Sequence, residues 1–130
     1  MGAIFIKSAG GGAGASADLL WTNPNPSTLA AGTVALDLAD YDYIIVVTNM
    51  SGSNTANGYA IAKVGSAEDT CIGCKSWDSS NSRMNANIRR FRASSTGVYF
   101  YNGGYSTSET SANRCVPYQI YGVRADLGIL

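Results

Sequence analysis

Histidine is missing from all 130 residues of this chain. Its absence removes Ser-His-Asp and Cys-His catalysis, the commonest general base and the commonest metal ligand. Glutamate is nearly missing too, with Glu68 and Glu109 the only two, both in polar stretches. Charged residues make up 14% of the chain, against roughly 25% in an average globular protein. Nine basic residues balance nine acidic ones, so there is no global basic footprint for nucleic acid. A neutral chain also lacks the self-repulsion that opposes association. Long apolar runs are absent: the longest, Ile44 to Val47, falls far short of the roughly 18 residues that span a bilayer. The opening "MGAIFIKS" places Lys7 after its short apolar core, unlike a secretory leader. Any export is expected to occur without one, for example as part of a released particle.

What is present is β-patterned. "TVALDL" alternates, with Val34, Leu36 and Leu38 on one face and Thr33, Ala35 and Asp37 on the other, as a half-buried strand does. "YIIVVTNM" is a near-continuous β-branched run, which predicts a central strand buried on both sides. "ADLLW", "YAIAKV", "DTCIGCK" and "PYQIYGVR" read as further strands, and "NANIRRFRAS" with "GVYFYN" as a hairpin turning near "SSTG". Between them lie "TNPNPS", stiffened by Pro24 and Pro26, and three polar loops: "SGSNTANG", "SWDSSNSR" and "NGGYSTSETSANR". No stretch of ten residues keeps a 3.6-residue apolar period, so helix is minimal.

The predicted class is all-β, an antiparallel β-sandwich of jelly-roll-like kind. Residues 1–17 are expected to hold a short strand, "AIFIK", and a Gly-rich segment that is either a flexible linker or a tether to a neighbouring subunit. Residues 18–130 are expected to form the sandwich domain.

Candidate chemistry is thin. Asp40 and Asp42 sit in a predicted turn, where aspartate serves local backbone hydrogen bonding better than catalysis. Cys71 and Cys74 form a C-x-x-C with Cys115 distant; three cysteines without histidine leave a zinc set incomplete. The redox reading needs a helix N-terminus that the pattern does not supply. Small buried hydrophobes are the simpler assignment, with a Cys–Cys bridge open if the chain matures outside the cell. No catalytic residue, metal ligand or cofactor is assigned. Arg83, Arg89, Arg90 and Arg92 cluster, yet Arg90 and Arg92 fall on one strand face and Arg89 on the other. Such a divided cluster suits ion pairs to an adjacent subunit, or a solvated edge, better than a nucleic-acid stripe. Aromatics flanked by Asn, Ser and Asp suit a sugar site, where rings stack on C–H faces and amides read hydroxyls. Trp77, Tyr101, Asn102 and Tyr105 are the candidate glycan contacts. Tyr99, and alternatively Tyr101, would simply cover a sheet face.

Three segments, "LLWTNPNPS", "TVALDLADYDYIIV" and "PYQIYGVR", resemble small bacteriophage and prophage proteins of tail-fibre and adhesion modules. In that family a Leu-Trp-Thr-Asn-Pro start, a Leu-Asp-Leu-x-x-Tyr-Asp turn and an Ile-Tyr-Gly strand recur around variable loops. The match runs over roughly residues 19 to 124. It implies a non-enzymatic virion component, homotrimeric, assembled in the bacterial host cytoplasm and acting as a fibre tip or receptor-binding module for a bacterial surface glycan. The alternative is a capsid decoration or head fibre docked onto other virion proteins through residues 1–17. Neither reading involves nucleic acid or membrane insertion.

Overall fold

The computed structural model describes residues 16–49, 56–104 and 111–124, with the backbone alone at 56, 57, 76–78 and 85. Eight strands follow in chain order: β1 (Ser16–Thr22), β2 (Gly32–Ala35), β3 (Tyr43–Asn49), β4 (Ala56–Lys63), β5 (Thr70–Asp78), β6 (Arg83–Ser94), β7 (Gly97–Phe100) and β8 (Val116–Arg124). They build two four-stranded antiparallel sheets, ordered β1-β8-β3-β4 and β2-β7-β6-β5. The described residues contain no helix.

The alternation in the sequence determines which side chains meet between the sheets. Ile44 and Val46 of β3, Ala62 of β4, Ile72 of β5, Phe91 and Ala93 of β6, Val98 and Phe100 of β7 and Ile120 of β8 are all buried in one core. Burying each large apolar side chain stabilises the fold by roughly 1.5–3 kcal/mol. Phe91 and Phe100 stand opposite each other across β6 and β7, with ring centroids 5.8 Å apart. All seven residues of β3 are buried, as the β-branched run predicted. Its second face, Tyr43, Ile45 and Val47, packs with Val123, Ala17, Ile61 and Tyr121. Asn49 ends that strand with both side-chain amide atoms buried and without a partner among the described residues, a local cost of the order of 1–3 kcal/mol.

Three elements differ from the sequence expectation. The paired part of β2 stops at Ala35, opposite Gly97. Its partner turns there, so Leu36 and Leu38 donate instead to the turn carbonyls of Thr96 and Ser95. Leu38 nonetheless reaches the core. "SWDSSNSR" is not one loop: β5 runs to Asp78 and β6 begins at Arg83, joined by a four-residue turn, 79–82. Once the hairpin register is set, backbone pairing propagates beyond the apolar residues. Lastly, Ser16 and Ala17 belong to β1, so two residues assigned to the N-terminal segment pair with β8. The remainder of that segment, the strand expected at "AIFIK" and the tail from residue 125 lie outside the described residues.

Two close approaches set the packing. A Cβ on Gly58 of β4 would collide with the carbonyl oxygen of Gly73 in β5, where the two sheets meet at one side. A Cβ on Gly122 of β8 would stand 2.5 Å from the Tyr41 ring and 2.8 Å from Leu20. The segments "LLWTNPNPS", "LDLADYD" and "QIYG" therefore converge in space on one point.

Candidate functional site

The outer face of the β2-β7-β6-β5 sheet carries a linked group of polar and aromatic side chains. Antiparallel pairing sets Tyr99 between Thr33 and Arg92. Just past β7, the Tyr101 amide donates to the Arg90 carbonyl at 3.1 Å, which brings Tyr101 beside Arg90. The Arg90 guanidinium lies over the Tyr101 ring, 3.5 Å from its centroid. Tyr99 meets Tyr101 edge-on, at 5.0 Å and 80°. Asp69, just before β5, accepts from Arg90 Nη1 at 2.7 Å and from Arg92 Nε at 2.8 Å. Partial desolvation pushes the Asp69 carboxyl up, but the hydrogen bonds and charges of the two arginines outweigh it and hold its pKa below the ordinary value. The result is a two-ring, two-guanidinium, one-carboxylate surface with Tyr99 42% exposed.

The expected faces of the arginines hold, but their roles are corrected. Arg90 and Arg92 pair with Asp69 of the same chain. β6 lies between β7 and β5, so it is no solvated edge. Arg89 is inside, 1% exposed. Its Nη1 donates to the carbonyls of Leu29 (2.8 Å) and Tyr101 (2.9 Å). Its Nη2 donates to Ala112 (3.0 Å), Arg114 (3.0 Å) and Ser111 (3.4 Å), and its Nε to Arg114 (3.2 Å). Burial lowers its pKa to about 10, so it remains charged at neutral pH. One guanidinium thus gathers the β1–β2 connection, the end of β7 and the approach to β8. Period-2 parity already placed Arg89 opposite its neighbours, but nothing in a single sequence distinguishes a buried arginine served by carbonyls from a solvated one.

No protein-family model, curated protein or solved structure matches this chain.

Of the candidate glycan contacts, Tyr101 and Asn102 sit together at the edge of this surface. Asn102 Oδ1 accepts from the Ala31 amide at 3.2 Å, tying the β1–β2 connection to the end of β7. Trp77 occupies β5 opposite Met84. Met84 lies six residues along β6 from Arg90, about 20 Å at strand rise. The backbone at Trp77 is therefore remote from Tyr101, and its side chain is outside the description. Tyr105 falls outside the described residues. Tyr99, read as covering a sheet face, does so and also abuts Tyr101. No group of three or more cysteine, aspartate or glutamate side chains is placed to hold a metal ion among the described residues.

A second ionic cluster closes the other sheet. Asp18 Oδ2 accepts from Tyr41 Oη at 2.8 Å and from Arg124 Nη1 at 2.5 Å. These two bonds, Tyr41 first, hold the Asp18 carboxyl below the usual range. Arg124 also lies over the Tyr41 ring, 4.3 Å from its centroid.

Proposed function

We propose that this chain is a non-enzymatic bacteriophage virion protein, a fibre or receptor-binding module that recognises a bacterial surface glycan. The observation that carries the reading is the Tyr99–Tyr101–Arg90–Arg92–Asp69 surface, with Asn102 at its margin. Sugar rings present C–H faces that stack on exposed aromatic faces, while guanidinium and carboxylate groups engage hydroxyls. Fixed side chains lose less rotamer freedom on binding, and here the ion pairs, the edge-on ring contact and Arg89 supply that fixation. The three resembling segments meet at Gly122, against which Tyr41 and Leu20 pack.

Catalysis is disfavoured by the state of the carboxylates. Asp18 is held ionised by the Tyr41 hydroxyl and Arg124, and Asp69 by Arg90 and Arg92, which makes them poor general acids. Asp37 is engaged in its own turn, accepting from the Ala39 amide.

The finer architecture in this reading is a jelly-roll-like sandwich assembled as a homotrimer. The nested long-range pairs β1–β8 and β2–β7 favour the first. The second is favoured by the outer face of the β1-β8-β3-β4 sheet. There Leu19, 52% exposed, and Tyr59, 78% exposed, flank the apolar centre of β3, opposite Tyr121 and Val47 respectively.

Glycan-array screening followed by titration of the hits tests the function. Tyr101→Ala should weaken binding about tenfold or more, the loss of about 1.4 kcal/mol, with an unchanged circular-dichroism spectrum. An intact protein that retains no bacterial glycan, or one that cleaves a surface polysaccharide, refutes it. Light scattering that finds only monomer at micromolar concentration refutes the trimer.

A further inference from the structure

The geometry points to Cys74 and Cys115 as a disulfide-forming pair that staples the two sheets together. All three cysteines are free thiols in this structure. The C-x-x-C spacing is misleading, because three residues along a strand change face. Cys71 is exposed, whereas Cys74 is fully buried. The neighbour of Cys74 is instead Cys115, 41 residues away, with the two Sγ atoms 2.8 Å apart. A covalent S–S bond is about 2.05 Å, so the two sulfurs already stand within about 1 Å of bonding distance. Cys74 belongs to β5 of one sheet, and Cys115 leads directly into β8 of the other.

A second observation concerns the backbone. Cys115 has φ 45°, in the left-handed region where an L residue other than Asn or Asp is uncommon. In this conformation Cys115 Sγ stands against Cys74 Sγ.

The surroundings also separate the two thiols chemically. The hydrogen-bonded contact with Cys115, with that to Thr48 Oγ1 at 2.7 Å and the Arg89 charge, outweighs burial and lowers the Cys74 pKa. The Cys115 thiol is pushed up by that same partnership and by burial. That asymmetry exists only in the folded chain; before the sheets close either cysteine can attack first, and the product is the same. The co-reactant is a small-molecule disulfide such as oxidised glutathione, meeting the chain before the sheets close. With Cys74 first, its Sγ bonds to one sulfur of that disulfide and expels the other as a thiolate. Cys115, deprotonated to solvent, then attacks Cys74 Sγ and expels the second thiolate. Two cysteine thiols are oxidised, one external disulfide is reduced to two thiols, and the two protons end on those thiols. Both sulfurs are fully buried in the folded chain, so the bond is shielded from reductant once formed.

The test is refolding of the full chain from urea, with oxidised glutathione in one arm and dithiothreitol in the other. Each product is then denatured, alkylated and mapped by peptide mass. The expected oxidised product links Cys74 to Cys115 and leaves Cys71 alkylated, and Cys71→Ser gives the same link. Its Tm should exceed that of the reduced product by on the order of 10 °C, as expected for closing a loop of this length. Dithiothreitol should reduce it only when urea is present. Three alkylated cysteines under excess oxidised glutathione, a bridge that includes Cys71, or a linked product with no gain in Tm would each overturn the inference.

Discussion

Replacing Arg89 with lysine is the sharpest test of how the end of the sandwich is organised. The guanidinium serves five main-chain carbonyls from three separate segments: Leu29, Tyr101, Ser111, Ala112 and Arg114. Lysine keeps the charge but gathers its donors on one atom, which cannot stand where three guanidinium nitrogens do; Ser111 and Ala112 still accept from the Gly103 and Leu29 amides, so the carbonyls at stake are those of Leu29, Tyr101 and Arg114. A buried polar group left unpaired costs about 1–3 kcal/mol. Arg89→Lys should therefore destabilise the fold by about 2–5 kcal/mol, a large fraction of the 5–15 kcal/mol typical of a domain. Arg89→Leu removes the guanidinium from all three of those carbonyls at once and should leave little folded protein. Urea unfolding followed by circular dichroism gives the stability. Amide exchange reads whether the loss is concentrated in residues 29–31, 101–104 and 111–115. Were both variants to unfold within about 1 kcal/mol of the parent with the same m-value, the carbonyls would be satisfied without the guanidinium and the reasoning would fail.

Two further outcomes follow from the geometry. The Asp69 carboxyl has a folded pKa below its unfolded one, so the unfolded state binds more protons in between and stability rises with pH there. Its contribution is complete above the ordinary aspartate value of 3.8 and is lost as pH falls through the folded value; Asp69→Asn should flatten the acid limb of a pH–stability curve in that window. Gly58→Ala pushes a methyl group into the Gly73 carbonyl and should cost about 1–3 kcal/mol, measured by thermal unfolding; an unchanged Tm would mean that β4 and β5 separate without penalty.

The strand content was legible because side-chain alternation reports directly on sheet faces. β3 is the clearest example: a β-branched run with no polar interruption admits only a strand covered on both sides. The same rule placed Arg89 apart from Arg90 and Arg92. It could not say that Arg89 pointed inward, since sandwich interiors seldom hold a charge and the compensating carbonyls come from segments 12 to 60 residues away. Pairing length was legible only in part. β2 reads longer than its ladder because its partner turns at Gly97, and β5 reads shorter because its polar end is held by backbone bonds. The cysteines were legible in part: the reading as small buried hydrophobes describes Cys74 and Cys115 but not exposed Cys71, and spacing in the chain could not show that topology puts Cys74 against Cys115. Of the candidate contacts, adjacent Tyr101 and Asn102 stayed together as the chain required, whereas the separation of Trp77 depends on hairpin register.

The Arg89 clamp recognises only main-chain oxygens, and every amino acid carries one. Side chains at the five gripped positions can therefore be exchanged without loosening the grip, provided the chain path is kept. An anchor blind to residue identity leaves the rim of this sandwich free to vary its chemistry while its shape stays fixed.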